Sequence, residues 1–343
     1  MVRYLRFSWS LEMSEKKRVF SGIQPSGLLH LGNYLGAMKG MLELQDKFEC
    51  IYGIVDYHAI TVPYDAAAMP QRKLEAAIGY LAAGLDTDKT SLIVQSDVPE
   101  HTELAWLLSC ITSVNKLQDL PTLKDKLEST GGFLSSGLLN YPVLQAADII
   151  IYKSVLVPVG KDQEAHLEFT REVVRKFNGL YGETFPEPKS HNPPGAVVPS
   201  LTGEGKMSKS SPSSYIALND PPDIIRQKLA QAVTDPARIR RNDPGDPEKC
   251  PVIWALHKIY TAEDKKKELA DGCRTAGIGC LQCKKVLSDL IIADLAPLQK
   301  RWKELEARPD DVRDVLRMSA ARVRPIARAT VDEVKEKMGL ART

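Results

Sequence analysis

Residues 19–33 read VFSGIQPSGLLHLGN, and they indicate the fold class of this chain. The apolar pair Val19-Phe20 predicts a strand, the Pro and Gly residues that follow predict a turn, and the next apolar period predicts the start of a helix. Glycines let the backbone approach a ligand, and the free N–H groups of a helix N-terminus favour negative charge. The stretch therefore predicts a strand, turn and helix that suit a phosphate, with His30 and Asn33 facing the same pocket.

A second stretch, residues 206–210, reads KMSKS and lies in a loop rich in Gly and Ser. Its two ammonium groups, on Lys206 and Lys209, can stabilise the negative charge that builds up on phosphates when pyrophosphate leaves. Either stretch alone is a weak signal, because a turn or a pair of surface lysines has many explanations. Together they predict a nucleotide site.

Short β-rich runs alternate with longer segments of helical period. The runs lie at residues 19–20, 50–55, 91–95 and 155–159, and the helical segments at about 31–47, 66–83, 100–114 and 162–178. Alternation of this kind predicts βαβ units, so we expect an α/β fold with a Rossmann-type parallel sheet over residues 18–218. Ligands of such sheets bind at the carboxyl ends of the strands, where Gln24, His58 and Asp162 fall.

The rest of the chain divides into three kinds of segment. Residues 113–137 are polar and predict a mobile loop that carries Lys124 and Lys126. From Asn219 the β pattern stops and four or five helical segments follow, so we predict an all-helical C-terminal domain over residues 219–343. Residues 1–17 are basic and aromatic and predict a flexible leader.

Composition excludes some classes of protein. The 343 residues are 43% hydrophobic and 26% charged, and the chain has no apolar run long enough for a membrane protein. The net charge is only +2, so the total gives no electrostatic argument for a nucleic-acid partner.

Five ordered blocks carry a resemblance to a known family. They are residues 22–27, 31–37, 54–61, 141–149 and 157–163, and they read GIQPSG, LGNYLGA, IVDYHAIT, YPVLQAADI and VPVGKDQ. With residues 30–33 and 206–210 in the place of the two signature motifs, the chain resembles class I aminoacyl-tRNA synthetases. The blocks resemble the tryptophanyl-tRNA synthetase family closely, from about Arg18 to the C-terminus.

This resemblance implies a reaction and its partners. L-Tryptophan would be activated with ATP to tryptophanyl-adenylate and transferred to tRNA(Trp), with release of AMP and pyrophosphate. The helical domain would bind the tRNA anticodon, Mg²⁺ would accompany ATP, and the protein would be a cytoplasmic homodimer.

The resemblance also implies nucleotide-site residues. Catalytic roles fall to Lys206, Lys209 and Lys126, with Lys124 as the competitor of Lys126. The ATP-binding set that the resemblance implies is Gln24, His30, Gly32, Asn33, Asp162, Lys206, Met207, Ser208 and Lys209.

Amino-acid selection would depend on Asp148. It lies in an apolar run, residues 143–151, where an unpaired charge is costly unless something donates to it, and the indole N–H of tryptophan would be that donor. The chain departs from many relatives at Gln145, where they have methionine, and at Lys161, where they have an acid. The tryptophan-binding set that the resemblance implies is Phe20, His58, Tyr141, Asp148, Val157, Val159 and Gln163.

Four of the six cysteines lie in the predicted helical domain with the spacing C-x22-C-x6-C-x2-C, namely Cys250, Cys273, Cys280 and Cys283. In a reducing compartment, four gathered thiols are better explained as metal ligands than as disulfides. Zinc is the generic choice for four thiolates, and spacing alone does not exclude it. The spacing resembles the subset of tryptophanyl-tRNA synthetases with a [4Fe–4S] cluster, so the resemblance implies a cluster, with zinc as the alternative.

Three other readings are less consistent with the sequence. Tyrosyl-tRNA synthetases share the fold and motifs, but residues 22–27 and the block around Asp148 favour tryptophan. A small-molecule adenylyltransferase would not need residues 206–210 together with a long helical domain. A non-catalytic RNA-binding or iron-responsive protein would have lost site residues, and none is lost here.

Overall fold

A computed structural model describes residues 17–121, 123, 126–127, 130–160, 163–191, 197–209 and 211–340. Within these residues the chain forms one parallel sheet flanked by helices. Among the predicted features, the leader up to residue 16, Lys124, Lys161, Asp162 and Ser210 lie outside the described residues.

Five parallel strands form the sheet in the order β3-β2-β1-β4-β5. They are β1 (Arg18–Ile23), β2 (Glu49–Ile54), β3 (Thr90–Val94), β4 (Leu156–Pro158) and β5 (Lys189–His191). The first four confirm the β-rich runs of the sequence, and the parallel sheet with flanking helices confirms the α/β prediction. Strand β5 was not predicted, because its three residues are polar and carry no apolar pattern.

The helices surround this sheet. Three contiguous segments, Leu31–Asn33, the π-helix Tyr34–Met38 and Lys39–Leu44, follow the turn after β1. The other α-helices are Asp56–Ala59, Met69–Ala83, Glu100–Ser109, Val114–Gln118, Ser136–Ile150, Glu164–Tyr181, Pro222–Gln231, Ile253–Tyr260, Glu263–Arg274, Cys280–Glu306 and Pro309–Lys337, with short 3-10 segments at Gln95–Asp97, Pro212–Ser214 and Pro247–Lys249. The structure thus has five α-helices in the described part of the predicted helical region, as expected.

The prediction of a loop over residues 113–137 is wrong in part. Helix Val114–Gln118 lies inside this segment, and helix Ser136–Ile150 begins in it. Leu117 is 2% exposed and joins the apolar cluster around Phe20 and Leu104. Burial of this side chain therefore stabilises a helix that the polar sequence does not predict.

The helical region packs directly on the sheet region. Trp302 of helix Cys280–Glu306 shares a buried apolar cluster with Leu29 and Tyr52, and Val331 of helix Pro309–Lys337 shares another with Phe20. A Cβ atom on Gly79 would lie 2.3 Å from the Leu29 side chain and 3.2 Å from Trp302, so glycine is what permits this close approach. A domain boundary near residue 219 stays a prediction. Within the described part of the chain, no helix has the length and apolar character needed to cross a membrane.

Candidate functional site

The turn after β1 is closed by a pair of reciprocal hydrogen bonds. The Asn33 backbone N–H donates to His30 Nδ1 at 3.3 Å, and the His30 backbone N–H donates to Asn33 Oδ1 at 3.1 Å. Burial, and then the positive charge of Lys209, lower the pKa of His30 to about 4, so its imidazole is neutral near pH 7. The two predicted phosphate-site residues therefore fix each other at the start of the helix.

Backbone hydrogen bonds hold the lysine-containing loop against this turn, and they are made by the residues that follow the loop. The Leu31 N–H donates to the carbonyl of Ile216 and the Leu218 N–H donates to the carbonyl of Leu29, both at 2.9 Å. Met207 is buried, and a Cβ atom on Gly32 would lie 3.3 Å from it. Residues 206–209 and the turn are therefore neighbours, as the sequence predicts.

Lys209 contacts the turn directly. Its Nζ donates to the backbone carbonyl of Gln24 at 3.0 Å. Gly27 has a φ of +153°, and a Cβ atom there would lie 3.3 Å from the Lys209 side chain. Burial lowers the pKa of Lys209 to about 8. The ammonium is thus placed beside the predicted phosphate site, and it is easier to deprotonate than a surface lysine.

A cavity of about 420 Å³ extends from the turn to helix Ser136–Ile150. Its walls include residues of both predicted sets, the nucleotide set and the amino-acid set. The predicted residues that line it are Phe20, Gln24, Asn33, His58, Lys126, Tyr141, Asp148, Val157, Val159 and Gln163. Gln145, where the chain departs from many relatives, lines it too. The remaining described members of the nucleotide set, His30, Gly32, Lys206, Met207, Ser208 and Lys209, do not line the cavity.

Asp148 lies at the amino-acid end of this cavity and is 2% exposed. Its carboxylate contacts His58 Nε2 at 2.8 Å and His101 Nδ1 at 2.7 Å, and it accepts from Gln95 Nε2 at 2.8 and 2.9 Å. Burial alone would raise the pKa of Asp148, but the hydrogen bonds from His101 and His58 lower it to about 2. Asp148 is therefore a fixed carboxylate that only accepts hydrogen bonds.

Gln95, His101 and Tyr152 were missed at the level of sequence. Gln95 follows β3 directly, and polar residues at the carboxyl end of a parallel strand are a signal that could have identified it. His101 had no such signal, because it lies inside an ordinary amphipathic helix. Only the packing of helix Glu100–Ser109 on helix Ser136–Ile150 brings it to Asp148.

Lys126 and Tyr141 meet at the wall of the cavity. The Lys126 Nζ lies 3.5 Å from the centroid of the Tyr141 ring, and the Tyr141 hydroxyl lies 3.1 Å from His166 Nε2. Burial lowers the pKa of Lys126 to about 8. The structure therefore places Lys126 at the wall of the cavity.

The clustered cysteines are free thiols, namely Cys250, Cys273, Cys280 and Cys283. Burial raises the pKa of Cys283 to about 12, and the charges of the other three thiols add to the rise. The Arg238 Nη1 lies 3.7 Å from Cys273 Sγ, and His257 Nε2 lies 3.2 Å from Cys283 Sγ. Across the described residues, however, no three or more His, Cys, Asp or Glu side chains form a metal-binding group, so the predicted metal centre is not confirmed.

Comparison with known proteins shows the family of this chain. The family model for class I tRNA synthetases (W and Y) matches residues 12–296. The chain is 47% identical to the tryptophan–tRNA ligase of Deinococcus radiodurans, and the match covers 94% of this chain and 98% of that protein. It is 42% identical to the tryptophan–tRNA ligase of Thermotoga maritima, and that match covers 94% of this chain and 99% of that protein. Its structure is similar to tryptophanyl-tRNA synthetase from Campylobacter jejuni complexed with ADP and tryptophan, with a TM-score of 0.85, 36% identity, and 94% of this chain and 100% of that chain covered.

Proposed function

The chain belongs to the class I tRNA synthetases for tryptophan and tyrosine, and we propose that it is a tryptophan–tRNA ligase. It activates L-tryptophan with ATP to tryptophanyl-adenylate and transfers the tryptophanyl group to tRNA(Trp). The observation that carries this proposal is the single cavity that joins Gln24 and Asn33 of the turn to the Asp148 carboxylate. A nucleotide and an amino acid with an N–H donor could meet in it.

Activation requires attack of the tryptophan carboxylate on the α-phosphate of ATP, with pyrophosphate as the leaving group. The protein supplies position and charge, as in other transfers at phosphorus. The neutral imidazole of His30, whose Nδ1 accepts from Asn33, can donate from Nε2 without adding charge, while the ammonium groups of Lys206, Lys209 and Lys126 offset the charge that moves to the pyrophosphate. Mg²⁺ enters with ATP and needs no carboxylate cage of the protein.

Binding roles follow from the position of each residue. Gln24, His30, Gly32 and Asn33 lie at the turn and would hold ATP, together with Met207 and Ser208 of the loop. Asp162, which would complete this set, lies outside the described residues. Phe20, His58, Val157 and Val159 would enclose the indole, Asp148 would accept its N–H, and Tyr141 and Gln163 would hold the α-amino group.

ATP–pyrophosphate exchange by the purified protein tests the substrate. We expect exchange with tryptophan and little with tyrosine or phenylalanine, because a site that bonds a substrate N–H rejects analogues that lack it by roughly 10⁴ to 10⁵. A comparable rate with tyrosine would instead support the tyrosine-specific branch of the family.

The helices from Pro222 onward would bind the tRNA anticodon, and the protein would act in the cytoplasm, where its tRNA and ATP are used. We also propose a homodimer. Large apolar side chains are exposed in the region between residues 100 and 151, with Trp106 at 71% and Phe133 at 72% exposure. Twofold association would cover such side chains. Sedimentation should give the mass of a dimer at micromolar concentration, and a monomer there would contradict the proposal.

A [4Fe–4S] cluster on Cys250, Cys273, Cys280 and Cys283 is a separate proposal, with zinc as the alternative. Its support is chemical: the helical region carries four free thiols with the spacing of the resembled subset, and four thiolates suit either centre. A bound centre would hold the loops of the helical region together. The thiols lie in the region assigned to tRNA, so we expect the centre to shape that surface and not to assist adenylate formation.

Anaerobic purification tests this second proposal. We expect brown protein with about four iron atoms per chain, and loss of iron in a Cys280→Ser, Cys283→Ser double variant. Cys110→Ser is the matched control, because Cys110 is an exposed thiol outside the cluster. Tightly bound zinc without iron would overturn the cluster, and loss of ATP–pyrophosphate exchange in a folded double variant would overturn the separation of roles.

A further inference from the structure

A buried chain of hydrogen bonds reaches Asp148 from the side away from the cavity. His101 Nδ1 lies 2.7 Å from Asp148 Oδ1, and His101 Nε2 lies 2.8 Å from the Tyr152 hydroxyl. Both side chains are fully buried, and neither lines the cavity. The Phe20 ring stacks on Tyr152 at 5.7 Å between centroids and lies 6.2 Å from His101, so it separates this pair from the cavity that Phe20 itself lines.

The direction of these hydrogen bonds follows from the chemistry of the end groups. An ionised Asp148 only accepts, so His101 carries its proton on Nδ1 and donates it. Burial, and then the charge of Asp148, raise the pKa of Tyr152, so its O–H is retained beside His101 Nε2. Tyr152 therefore pairs with the second ring nitrogen of His101 and holds the ring in the orientation in which Nδ1 faces Asp148.

Gln95 holds the carboxylate from a third direction. The Tyr57 backbone N–H donates to Gln95 Oε1 at 3.1 Å, which orients the amide so that its Nε2 reaches both oxygens of Asp148. His58 is the one donor that also lines the cavity. The bonds from His101 and Gln95 can thus persist when a substrate arrives, while the His58 side is open to share the carboxylate with a substrate N–H.

We propose that His101 and Tyr152 are positioning residues that orient Asp148 toward the ring N–H of the amino acid and so contribute to the choice of substrate. This inference rests on the proposed function, because it takes tryptophan as that amino acid. Without the donor on His101, the carboxylate loses one of its fixed bonds and turns away from the direction in which an indole N–H would meet it. Loss of this bond therefore weakens the contact between Asp148 and the ring N–H, and it leaves the apolar contacts of the ring unchanged.

A pair of substrates separates these contributions. Tryptophan is compared with 3-benzothienylalanine, in which sulfur replaces the indole N–H and the ring size is retained. The readout is the ratio of the two kcat/KM values in ATP–pyrophosphate exchange. This ratio does not depend on the fraction of enzyme that is folded, so a variant of reduced stability remains informative.

The variants are Tyr152→Phe, His101→Leu and His101→Asn. We expect Tyr152→Phe and His101→Leu to lower the ratio about tenfold, because each removes a buried hydrogen bond that acts on a charged group. His101→Asn should retain most of the wild-type ratio, since the amide Nδ2 can donate from nearly the position of Nδ1. KM for ATP should stay at the wild-type value. Tyr52→Phe is the matched control, because Tyr52 is a buried tyrosine that bonds the Met41 carbonyl at 2.7 Å and has no hydrogen bond to Asp148.

The outcomes are distinguishable. Equal losses with both substrates, or an unchanged ratio in Tyr152→Phe and His101→Leu, would overturn the positioning role and leave the proposed function intact. A wild-type protein that does not use tryptophan would overturn the proposed function, and this inference with it.

Discussion

The Nζ of Lys209 donates a 3.0 Å hydrogen bond to the backbone carbonyl of Gln24, which joins two segments that are 185 residues apart in the chain. Gln24 is the first residue after β1 and begins the turn, and Lys209 belongs to the loop that carries Lys206. This carbonyl accepts from one of the donors of the ammonium. A phosphate bound beside the turn would compete for that donor, so we expect nucleotide binding to change the position of the loop.

The lowered pKa of Lys209 predicts a pH dependence. Lysine is charged below its pKa, and with a pKa of about 8 the charged fraction falls from about 90% at pH 7 to about 10% at pH 9. We therefore expect kcat/KM for ATP, which reports groups of the free enzyme, to fall above pH 8. Lys209→Arg keeps its charge throughout this range and should remove that decline, whatever its absolute rate.

Lys126 has a similar pKa, so it requires its own variant. Lys126→Arg should retain the decline if Lys209 is responsible for it. Normalised profiles of wild type and Lys209→Arg that superimpose would show that Lys209 is not the titrating group.

Removal of the lysine charges should affect the chemical step. We expect Lys206→Ala and Lys209→Ala to slow adenylate formation at least about 100-fold, because the charges act on phosphates in the transition state, while tryptophan affinity changes by less than about threefold. Single-turnover kinetics measure the first quantity and equilibrium titration the second. Lys176→Ala, an exposed lysine on helix Glu164–Tyr181, is the control. Unchanged chemistry with weakened tryptophan binding would refute the assigned role.

Asp148→Asn should reduce kcat/KM for tryptophan about 10- to 100-fold, because an amide is a weaker acceptor and places a donor against His101, His58 or Gln95. The pKa of Asp148 is about 2, so its carboxylate contributes fully above that range and is lost only as pH falls toward it. The decrease in kcat/KM caused by Asp148→Asn should thus be constant from about pH 6 to 9. Asp97→Asn, which alters an exposed carboxylate two residues after Gln95, should have little effect. A loss that disappears at pH 6 would mean that Asp148 is already protonated there.

Lys284 should stabilise the helical region. Its buried ammonium donates to the carbonyls of Ala230 at 2.8 Å and Ala232 at 2.7 Å, at the end of helix Pro222–Gln231. Lys284→Met retains the stem but removes both bonds, and should lower the free energy of unfolding by about 2–3 kcal/mol in urea titration. Its neighbour Lys285 pairs with Asp289 at the surface, so Lys285→Met should cost less than about 0.5 kcal/mol. Equal effects of the two variants would contradict this role.

The amino-acid sequence by itself determined the local features. The strand, turn and helix of residues 19–33, the first four strands and the five C-terminal helices follow from apolar period and from Pro and Gly, because these act on the backbone within a few residues. The approach of residues 206–209 to the turn was also predicted, but through family resemblance. Strand β5 and helix Val114–Gln118 were not, because polar residues there are ordered by neighbours from elsewhere in the chain.

Only the tertiary structure decided how Asp148 is held. Its apolar surroundings in the sequence suggested a carboxylate whose hydrogen-bond donor is the substrate. In the fold, Gln95 and His101, which are 53 and 47 residues away, donate to it. These contacts depend on the order of strands in the sheet and on the packing of helix Glu100–Ser109 against helix Ser136–Ile150. Neither is encoded in the residues around Asp148, because hydrogen bonds between distant segments form only where the whole core brings the donor and the acceptor within about 3 Å.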